Sequence, residues 1–356
     1  MEIMLRDFYK GRRVFVTGHT GFKGSWLTRL LLNLGAEVIG YSLPAPTQPN
    51  LFSLSKAEKE IVSIHGDIRD YQSVKKAISE YRPELVFHLA AQPLVRESYL
   101  FPRETFDTNV MGTVNLLEAL RGQESVKSIL NVTTDKVYLN REWCWGYRET
   151  DPLDGYDPYS NSKSCSELVT HSYSKSFFNE RGIPVSTARA GNVIGGGDFS
   201  KDRIIPDCVR AALKKEKIVV RNPFSIRPYQ HVLEPLVAYL LIVYKQYQDI
   251  NLASSYNVGP QESDCVTTGR LVDLFCKYWE GAVWSTSAKA DEFHEASFLK
   301  LDCSKIQQTL GWSPEWNIEK AIEQTVNWTK AWISHEDVTQ EMDREIFEYL
   351  RNFDEE

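Results

Sequence analysis

The sequence predicts an α/β fold, a doubly wound parallel sheet followed by a smaller lobe of mixed structure. Three observations predict it. Short apolar runs alternate with helix-period patterns from Arg13 to Ala190, the rhythm of parallel strands joined by helical crossovers. A glycine-rich turn, Gly18 to Gly24, stands between the first run and the first helical pattern. After Ala190 the rhythm stops, and Pro223, Pro228 and Pro260 divide the chain into shorter pieces.

Taken in order, Arg13 to Thr17 reads as a short buried strand, and Ser25 to Asn33 as an apolar-rich helix that ends at Gly35. Glu37 to Leu43, Ile61 to His65 and Leu85 to Ala90 are the second, third and fourth strands. A long helix over Phe106 to Arg121 leads to a fifth strand, Ser128 to Thr133. Tyr159 to Glu180 is helical until Gly182-Ile183-Pro184 breaks it, and Val185 to Ala190 is a further strand. Right-handed crossovers repeated in this way give a Rossmann-type sheet. Beyond the Gly195-Gly196-Gly197-Asp198 loop, helical patterns recur at Ile205 to Lys214, Val232 to Gln248, Arg270 to Trp279 and Ile318 to Trp332. A terminal helix is expected after Glu336, because Ile346, Tyr349 and Leu350 fall at helical spacing.

The bulk properties narrow the function. A chain of 356 residues, 42% hydrophobic and 25% charged, has the make-up of a globular protein with a large core. A net charge of -7 argues against nucleic acid or an anionic membrane as the main partner. The longest apolar run, Val237 to Tyr244, is too short to span a bilayer. The charged segment Met1 to Arg12 runs directly into a strand and does not read as a signal peptide. Cys144, Cys165, Cys208, Cys265, Cys276 and Cys303 form no Cys-x-x-Cys pair and have no His at zinc-ligand spacing. Free thiols, no metal site and a cytoplasmic location are therefore expected.

Two motifs carry chemistry. In Thr17-Gly18-His19-Thr20-Gly21-Phe22-Lys23-Gly24 the glycines allow a tight turn and close approach of backbone to a pyrophosphate at a helix N-terminus. The spacing is Gly-x-x-Gly-x-x-Gly, and its strand–loop–helix setting makes a dinucleotide the expected ligand. In Tyr159-Ser160-Asn161-Ser162-Lys163 a phenol and an ammonium share one helix face. The ammonium is expected to lower the phenol pKa, so that Tyr159 can take a hydroxyl proton. Thr134, at the end of the fifth strand, can join the same relay.

Together these motifs resemble the extended short-chain dehydrogenase/reductase family over nearly the whole chain. Leu89-Ala90-Ala91-Gln92 and Asn109 match its cofactor side, and Asp67-Ile68-Arg69 its adenine side. Leu310-Gly311-Trp312-Ser313-Pro314 matches the motif that closes sugar-nucleotide epimerases and dehydratases. The resemblance implies NAD, held by Gly18, His19, Gly21, Phe22, Lys23, Gly24, Asp67, Ile68, Leu89, Ala90, Ala91, Gln92, Asn109, Tyr159 and Lys163. It also implies a cofactor domain over 1–190 and a sugar-nucleotide lobe mainly over 191–356, with the chain able to cross back. Two details pull the other way. Gly40-Tyr41-Ser42-Leu43 offers no acid to the ribose hydroxyls, and Lys23 suits a phosphate on that ribose. His19 also stands where a smaller residue would approach the pyrophosphate more freely.

Within the family, Thr133-Thr134-Asp135-Lys136-Val137-Tyr138 resembles the 4,6-dehydratases, which carry an acid after the catalytic Thr where 4-epimerases have small or neutral residues. The dTDP- and GDP-sugar enzymes follow that Asp with Glu; Lys136 looks like the CDP-glucose branch. Gly18 to Leu27, His294-Glu295-Ala296 and Leu299-Lys300-Leu301-Asp302 suggest the same branch. The resemblance then implies CDP-glucose as substrate, held by Asn192, Arg203, Arg227 and His231, the arginine forks suiting a diphosphate. Tyr159, with Thr134 and Lys163, would take the 4-hydroxyl proton during oxidation of carbon 4 by NAD. Asp135 would protonate the departing 6-hydroxyl. Lys136 would remove the carbon-5 proton or stabilise the enolate. A homodimer or homotetramer, paired through the helices around 106–121 and 159–180, is implied as well. Competing readings are a 4-epimerase, which needs no acid at Asp135, a 4,6-dehydratase of another nucleotide sugar, and a non-catalytic dinucleotide-sensing regulator, which would have lost Tyr159 or Lys163. The bland reading of Asp135 and Lys136 is a solvated surface pair.

Overall fold

The computed structural model describes residues 2–286 and 298–352. Helix α1 (Glu2–Tyr9) leads into strand β1 (Arg13–Thr17), helix α2 (Phe22–Asn33), β2 (Glu37–Ser42), β3 (Val62–His65) and α3 (Tyr71–Tyr81). There follow β4 (Leu85–His88), α4 (Gly112–Arg121), β5 (Ser128–Val132), α5 (Pro158–Tyr173) and β6 (Val185–Ala190). The second half adds α6 (Ile204–Leu213), α7 (Leu233–Gln248), β7 (Ser255–Val258), α8 (Thr268–Tyr278), α9 (Ile318–Ile333) and α10 (Val338–Asn352). Seven strands make one sheet in the order β7-β6-β5-β4-β1-β2-β3, every neighbouring pair parallel.

Alternate strand residues face opposite layers. Phe15, Val86, Ile129 and Val185 point to the layer of α3, α4 and the end of α5, while Val14, Val16, Phe87, Leu130 and Ala188 meet α2 and α7. Both faces are therefore covered, as a parallel sheet requires. Truncating a buried residue such as Leu130 to Ala costs about 2–5 kcal/mol. Walking out from the middle, the strand order turns at β1 and β4, and a cleft opens beyond their C-terminal ends, the place where such sheets bind ligands.

The expected elements are present, with shifted ends and several additions. Helix α2 begins at Phe22, three residues earlier than its apolar pattern suggests, so Gly24 lies inside the first turn. The helix expected over Phe106 to Arg121 starts as a π-turn, Asp107–Met111, before α4. Asp157 caps α5, accepting from the Ser160 N–H at 3.0 Å, and a second π-turn, Ser174–Phe178, follows its end. Helix α1 was not foreseen; it buries Leu5, Phe8 and Tyr9, and the Tyr9 hydroxyl donates to the Leu240 carbonyl at 2.9 Å. Nor was α3, whose apolar positions are few. Strand β7 is the addition that matters most. Half polar and only four residues long, it carries no strand signature, yet it completes the sheet beside β6 with chain from the second half.

Helix α10 is where Ile346, Tyr349 and Leu350 predicted one, with all three side chains buried. It is tied to α2 by a two-pronged pair, Arg29 Nε and Nη2 donating to the Asp343 carboxylate at 2.6 and 2.5 Å. The motif residue Gly311 sits at φ 72 and ends the helix Ser304–Leu310, a left-handed position that favours glycine. Residues His294, Glu295 and Ala296 lie outside the described residues. Among the described residues no helix is long and apolar enough to cross a membrane.

Candidate active site

A cleft of about 910 Å³ runs from the turn after β1, past the ends of β4 and β5, to the second-half lobe. Its floor depends on close backbone packing. Gly18 has φ 78, and a Cβ there would lie 2.8 Å from the Ala90 nitrogen; a Cβ on Gly24 would collide with the Gly18 carbonyl oxygen. Thr17 Oγ1 accepts from the Leu89 and Ala90 N–H groups, both at 3.1 Å, and so locks β1 to β4. Helix α2 has no side-chain cap and no acid in its first turn, leaving its N-terminal N–H groups for an anion. Gly18, Gly21, Phe22, Lys23, Gly24, Asp67, Ile68, Leu89, Ala90 and Ala91 all line this end.

Three residues expected at the cofactor do not line the cleft. The His19 imidazole turns away beneath β2 and β3, where Nε2 shares a hydrogen bond of 2.8 Å with Ser63 Oγ and the missing Cβ of Gly40 makes room for the ring. Burial, with His65 nearby, lowers its pKa to about 4. Gln92 and Asn109 stand behind the β4 loop. Asn109 Oδ1 accepts from the Gln92 N–H at 2.8 Å, and its Nδ2 donates to the Gln92 carbonyl and to Ser162 Oγ. They brace the wall that Ala90 and Ala91 form.

Lys23 also departs from expectation. Its ammonium feels Arg203, Asp135, Lys163 and Lys136, so the side chain reaches toward the centre of the cleft. Burial first, then Arg203, lowers its pKa to about 7. At the other end the Asp67 carboxylate is paired with Arg69, Nη2 to Oδ2 at 2.6 Å, and Ser42 Oγ is bonded to Thr20 Oγ1 at 2.9 Å.

At the centre, α5 presents Tyr159 and Lys163 to the cleft on one face. Lys163 Nζ donates to the Val132 carbonyl at 3.1 Å, and burial lowers its pKa to about 8 against the opposing pull of Glu167. The phenol does not follow the simple expectation. Burial pushes Tyr159 up to about 12, and the groups that draw it down are the Thr134 hydrogen bond and Arg203, not Lys163. Thr134 Oγ1 in turn donates to Asp135 Oδ1 at 3.0 Å. Lys136 Nζ donates to the same oxygen at 3.1 Å and to Asn192 Oδ1 at 3.0 Å. Asp135 is wholly buried and does not line the cleft; Thr134 and Lys136, which do, connect it to that space. A solvated surface pair is thus excluded.

In the lobe, Asn192, Arg203 and Arg227 line the cleft, with Arg203 Nη1 donating to Asp198 Oδ2 at 2.9 Å. His231 does not. It is fully buried behind the cleft, its Nε2 3.3 Å from Glu345 Oε2 and its ring packed on Trp316 and Trp26, so the expectation that it holds substrate is corrected. Tyr229, from the run Arg227-Pro228-Tyr229-Gln230-His231-Val232 that resembles the family's substrate positions, lines the lobe end with Ser225 and Thr268, which were not singled out in advance. Their hydroxyls meet there, Ser225 Oγ to Thr268 Oγ1 at 2.8 Å and Tyr229 Oη to Thr268 Oγ1 at 3.1 Å, an association no local pattern encodes.

The chain is 48% identical over 352 residues to a CDP-glucose 4,6-dehydratase of Salmonella typhimurium, covering 97% of this chain and 98% of that protein. It is 28% identical to a probable dTDP-glucose 4,6-dehydratase of Sinorhizobium fredii, over 87% of this chain and 90% of that one. Among solved structures it is similar to the Thermus thermophilus UDP-glucose 4-epimerase in complex with NAD, at TM-score 0.78 and 26% identity, covering 88% of this chain and 98% of the other. The model of the family described as GDP-mannose 4,6 dehydratase matches residues 15–325. With its seven-stranded sheet and cleft in the matched region, the chain belongs to that family, within the extended short-chain dehydrogenase/reductase group.

Proposed function

We propose that this protein is an NAD-dependent CDP-glucose 4,6-dehydratase, converting CDP-glucose to CDP-4-keto-6-deoxyglucose and water. The observation that carries the reading is the buried Asp135 carboxylate, linked through Thr134 and Lys136 to the cleft beside Tyr159. A hydroxyl oxidation alone needs only the Tyr159 side of that chain. Expelling a hydroxyl needs an acid as well. The Salmonella relative supports the choice of reaction and nucleotide.

The turn fits a dinucleotide pyrophosphate, since Gly18 and Gly24 leave the space a Cβ would fill. It fits NAD better than its ribose-phosphorylated form, because Lys23 points elsewhere and Arg69 is already paired with Asp67. When bound, NAD would accept a hydride from carbon 4 and return it to carbon 6. Tyr159 receives the 4-hydroxyl proton, with Thr134 hydrogen-bonded to the phenol. The Val132 carbonyl fixes the Lys163 ammonium on the same face of α5, while the Thr134 hydrogen bond and Arg203 draw the buried phenol toward the phenolate. Asp135 is the proton source for the departing 6-hydroxyl. Lys136, as its free amine, takes the carbon-5 proton while Asp135 gives one to the leaving oxygen, and the Lys136 ammonium so formed, 3.1 Å from Asp135 Oδ1, returns the proton to that carboxylate. Lys136, its ammonium held by Asp135 and Asn192, faces the cleft to stabilise the enolate. Arg203 and Arg227 hold the diphosphate.

Division into a cofactor half over 1–190 and a nucleotide-sugar half mainly over 191–356 is part of the same reading. So is a homodimer or homotetramer: Met111, beside α4, and Leu168, on α5, leave large apolar side chains exposed on the expected pairing helices. The six unpaired cysteines suit the cytoplasm. Incubation with NAD and CDP-, UDP- or dTDP-glucose, read by the alkaline absorbance of the 4-keto product, tests the reading. Product from CDP-glucose is expected, and its absence with all three substrates refutes the assignment.

A further inference from the structure

Glu167 lies one helical turn beyond Lys163 and two beyond Tyr159, on the same buried face of α5. Its carboxylate is 3% exposed and accepts from four donors, one just past the end of β5, two on β6 and one on β7. Thr133 Oγ1 donates to Oε1 at 2.5 Å, while Thr187 Oγ1 at 2.7 Å, Arg189 Nη2 at 2.8 Å and Ser255 Oγ at 3.4 Å donate to Oε2. Thr133 is the residue next to Thr134, so this anchor fixes the strand end that presents the relay hydroxyl.

Charge points the same way. Lys163 faces Tyr159 and Glu167 from its own helix, His88 from β4 and Lys23 from α2. Of these, Glu167 is the group that favours the ammonium, against burial. Glu167 itself faces Arg189 on β6, and beyond Arg189 stand Tyr138, Glu149 and Lys305. We propose that Glu167 is a positioning residue of the proton relay: its carboxylate backs the Lys163 side chain from the next turn of α5 and, through Thr133, holds Thr134 in line with Tyr159. This rests on the reading that Tyr159 and Lys163 carry the oxidation step.

The test needs no turnover. In a ¹³Cε-lysine NMR titration of the full chain, the Lys163 signal is assigned by its loss in Lys163→Met. Glu167→Gln is expected to move the Lys163 midpoint down by about one pH unit, and the alkaline limb of kcat with it, leaving KM within about twofold. Glu167→Asp retains the charge and restores the alkaline limb, with kcat lower by about tenfold because the shorter side chain loses Thr133. Arg189→Gln removes the cation competing for Glu167 and moves the Lys163 midpoint up; it carries the test if Glu167→Gln does not fold. An unchanged Lys163 midpoint in either folded neutral variant overturns the proposal. Because the midpoint is read without substrate, a failure of CDP-glucose turnover and a failure of this inference are separate results.

Discussion

Replacing Asp135 by Asn should separate oxidation from elimination. The substitution preserves shape and leaves an oxygen to accept from the Thr134 hydroxyl at the 3.0 Å now seen and from Lys136 Nζ at 3.1 Å. It removes the carboxyl group that can give up a proton and take one back. Lys136 loses its ionic partner but keeps Asn192 and partial access to solvent, its side chain being 27% exposed, so the stability cost is about 1–2 kcal/mol. Loss of a positioned acid slows its step about 10²- to 10⁴-fold, about 3–5 kcal/mol of barrier. Tyr159 is joined to the altered group through Thr134, and Lys163 is held by the Val132 carbonyl, so carbon 4 should still be oxidised. Stopped-flow absorbance at about 340 nm should show reduced cofactor forming and persisting on the enzyme, while the 4-keto-6-deoxy product appears slowly. Rapid product formation without accumulation of reduced cofactor would refute the role of Asp135 and return a 4-epimerase to contention.

Three further outcomes are expected. Tyr159→Phe should lose about a hundredfold or more in the first hydride transfer while binding NAD almost as well, measured by single-turnover absorbance and cofactor titration; near-normal turnover would remove Tyr159 from the relay. CDP-glucose should be converted far better than UDP- or dTDP-glucose, through base-edge hydrogen bonds that uracil or thymine leaves unpaired, and equal specificity constants would sink the nucleotide choice alone. His19, held at about 4 against 6.5 in the unfolded chain, contributes stability that is full above pH 6.5 and lost as pH falls toward 4. Urea unfolding at several pH values should therefore give wild type a steeper acid decline than His19→Gln, by on the order of 1–3 kcal/mol across that range. Glu234, raised to about 8, has the opposite slope in both proteins and cancels in the difference; parallel declines would contradict the burial argument.

Six of the seven strands and the two catalytic motifs are legible in the sequence because each rests on local information. Gly18 and Gly24 are required by close backbone contacts within one turn, and Tyr159 and Lys163 share a face because a helix repeats every 3.6 residues. What was illegible depends on tertiary partners. The polar side chains of β7 are satisfied at a distance, Tyr138 Oη donating to Asn257 Oδ1 at 2.6 Å and Thr187 Oγ1 hydrogen-bonded to Ser255 Oγ at 2.9 Å. His231 and His19 look like polar residues fit for a ligand. Their rings are buried instead, one against tryptophans and Glu345, the other beneath Gly40, and no local pattern tells a buried imidazole from an exposed one. Tyr159's raised pKa likewise reflects desolvation by the assembled cleft, which outweighs the pairwise charge that sequence spacing reveals.

The central claim is that Asp135 and Tyr159 serve one site in which hydride leaves carbon 4 and returns to carbon 6 of the same sugar. Conversion of CDP-glucose deuterated at carbon 4, followed by NMR of the product, tests it most directly. The account predicts a 4-keto-6-deoxy sugar carrying the deuterium at carbon 6. Deuterium retained at carbon 4 of an inverted sugar, or recovered in free reduced cofactor, would contradict it.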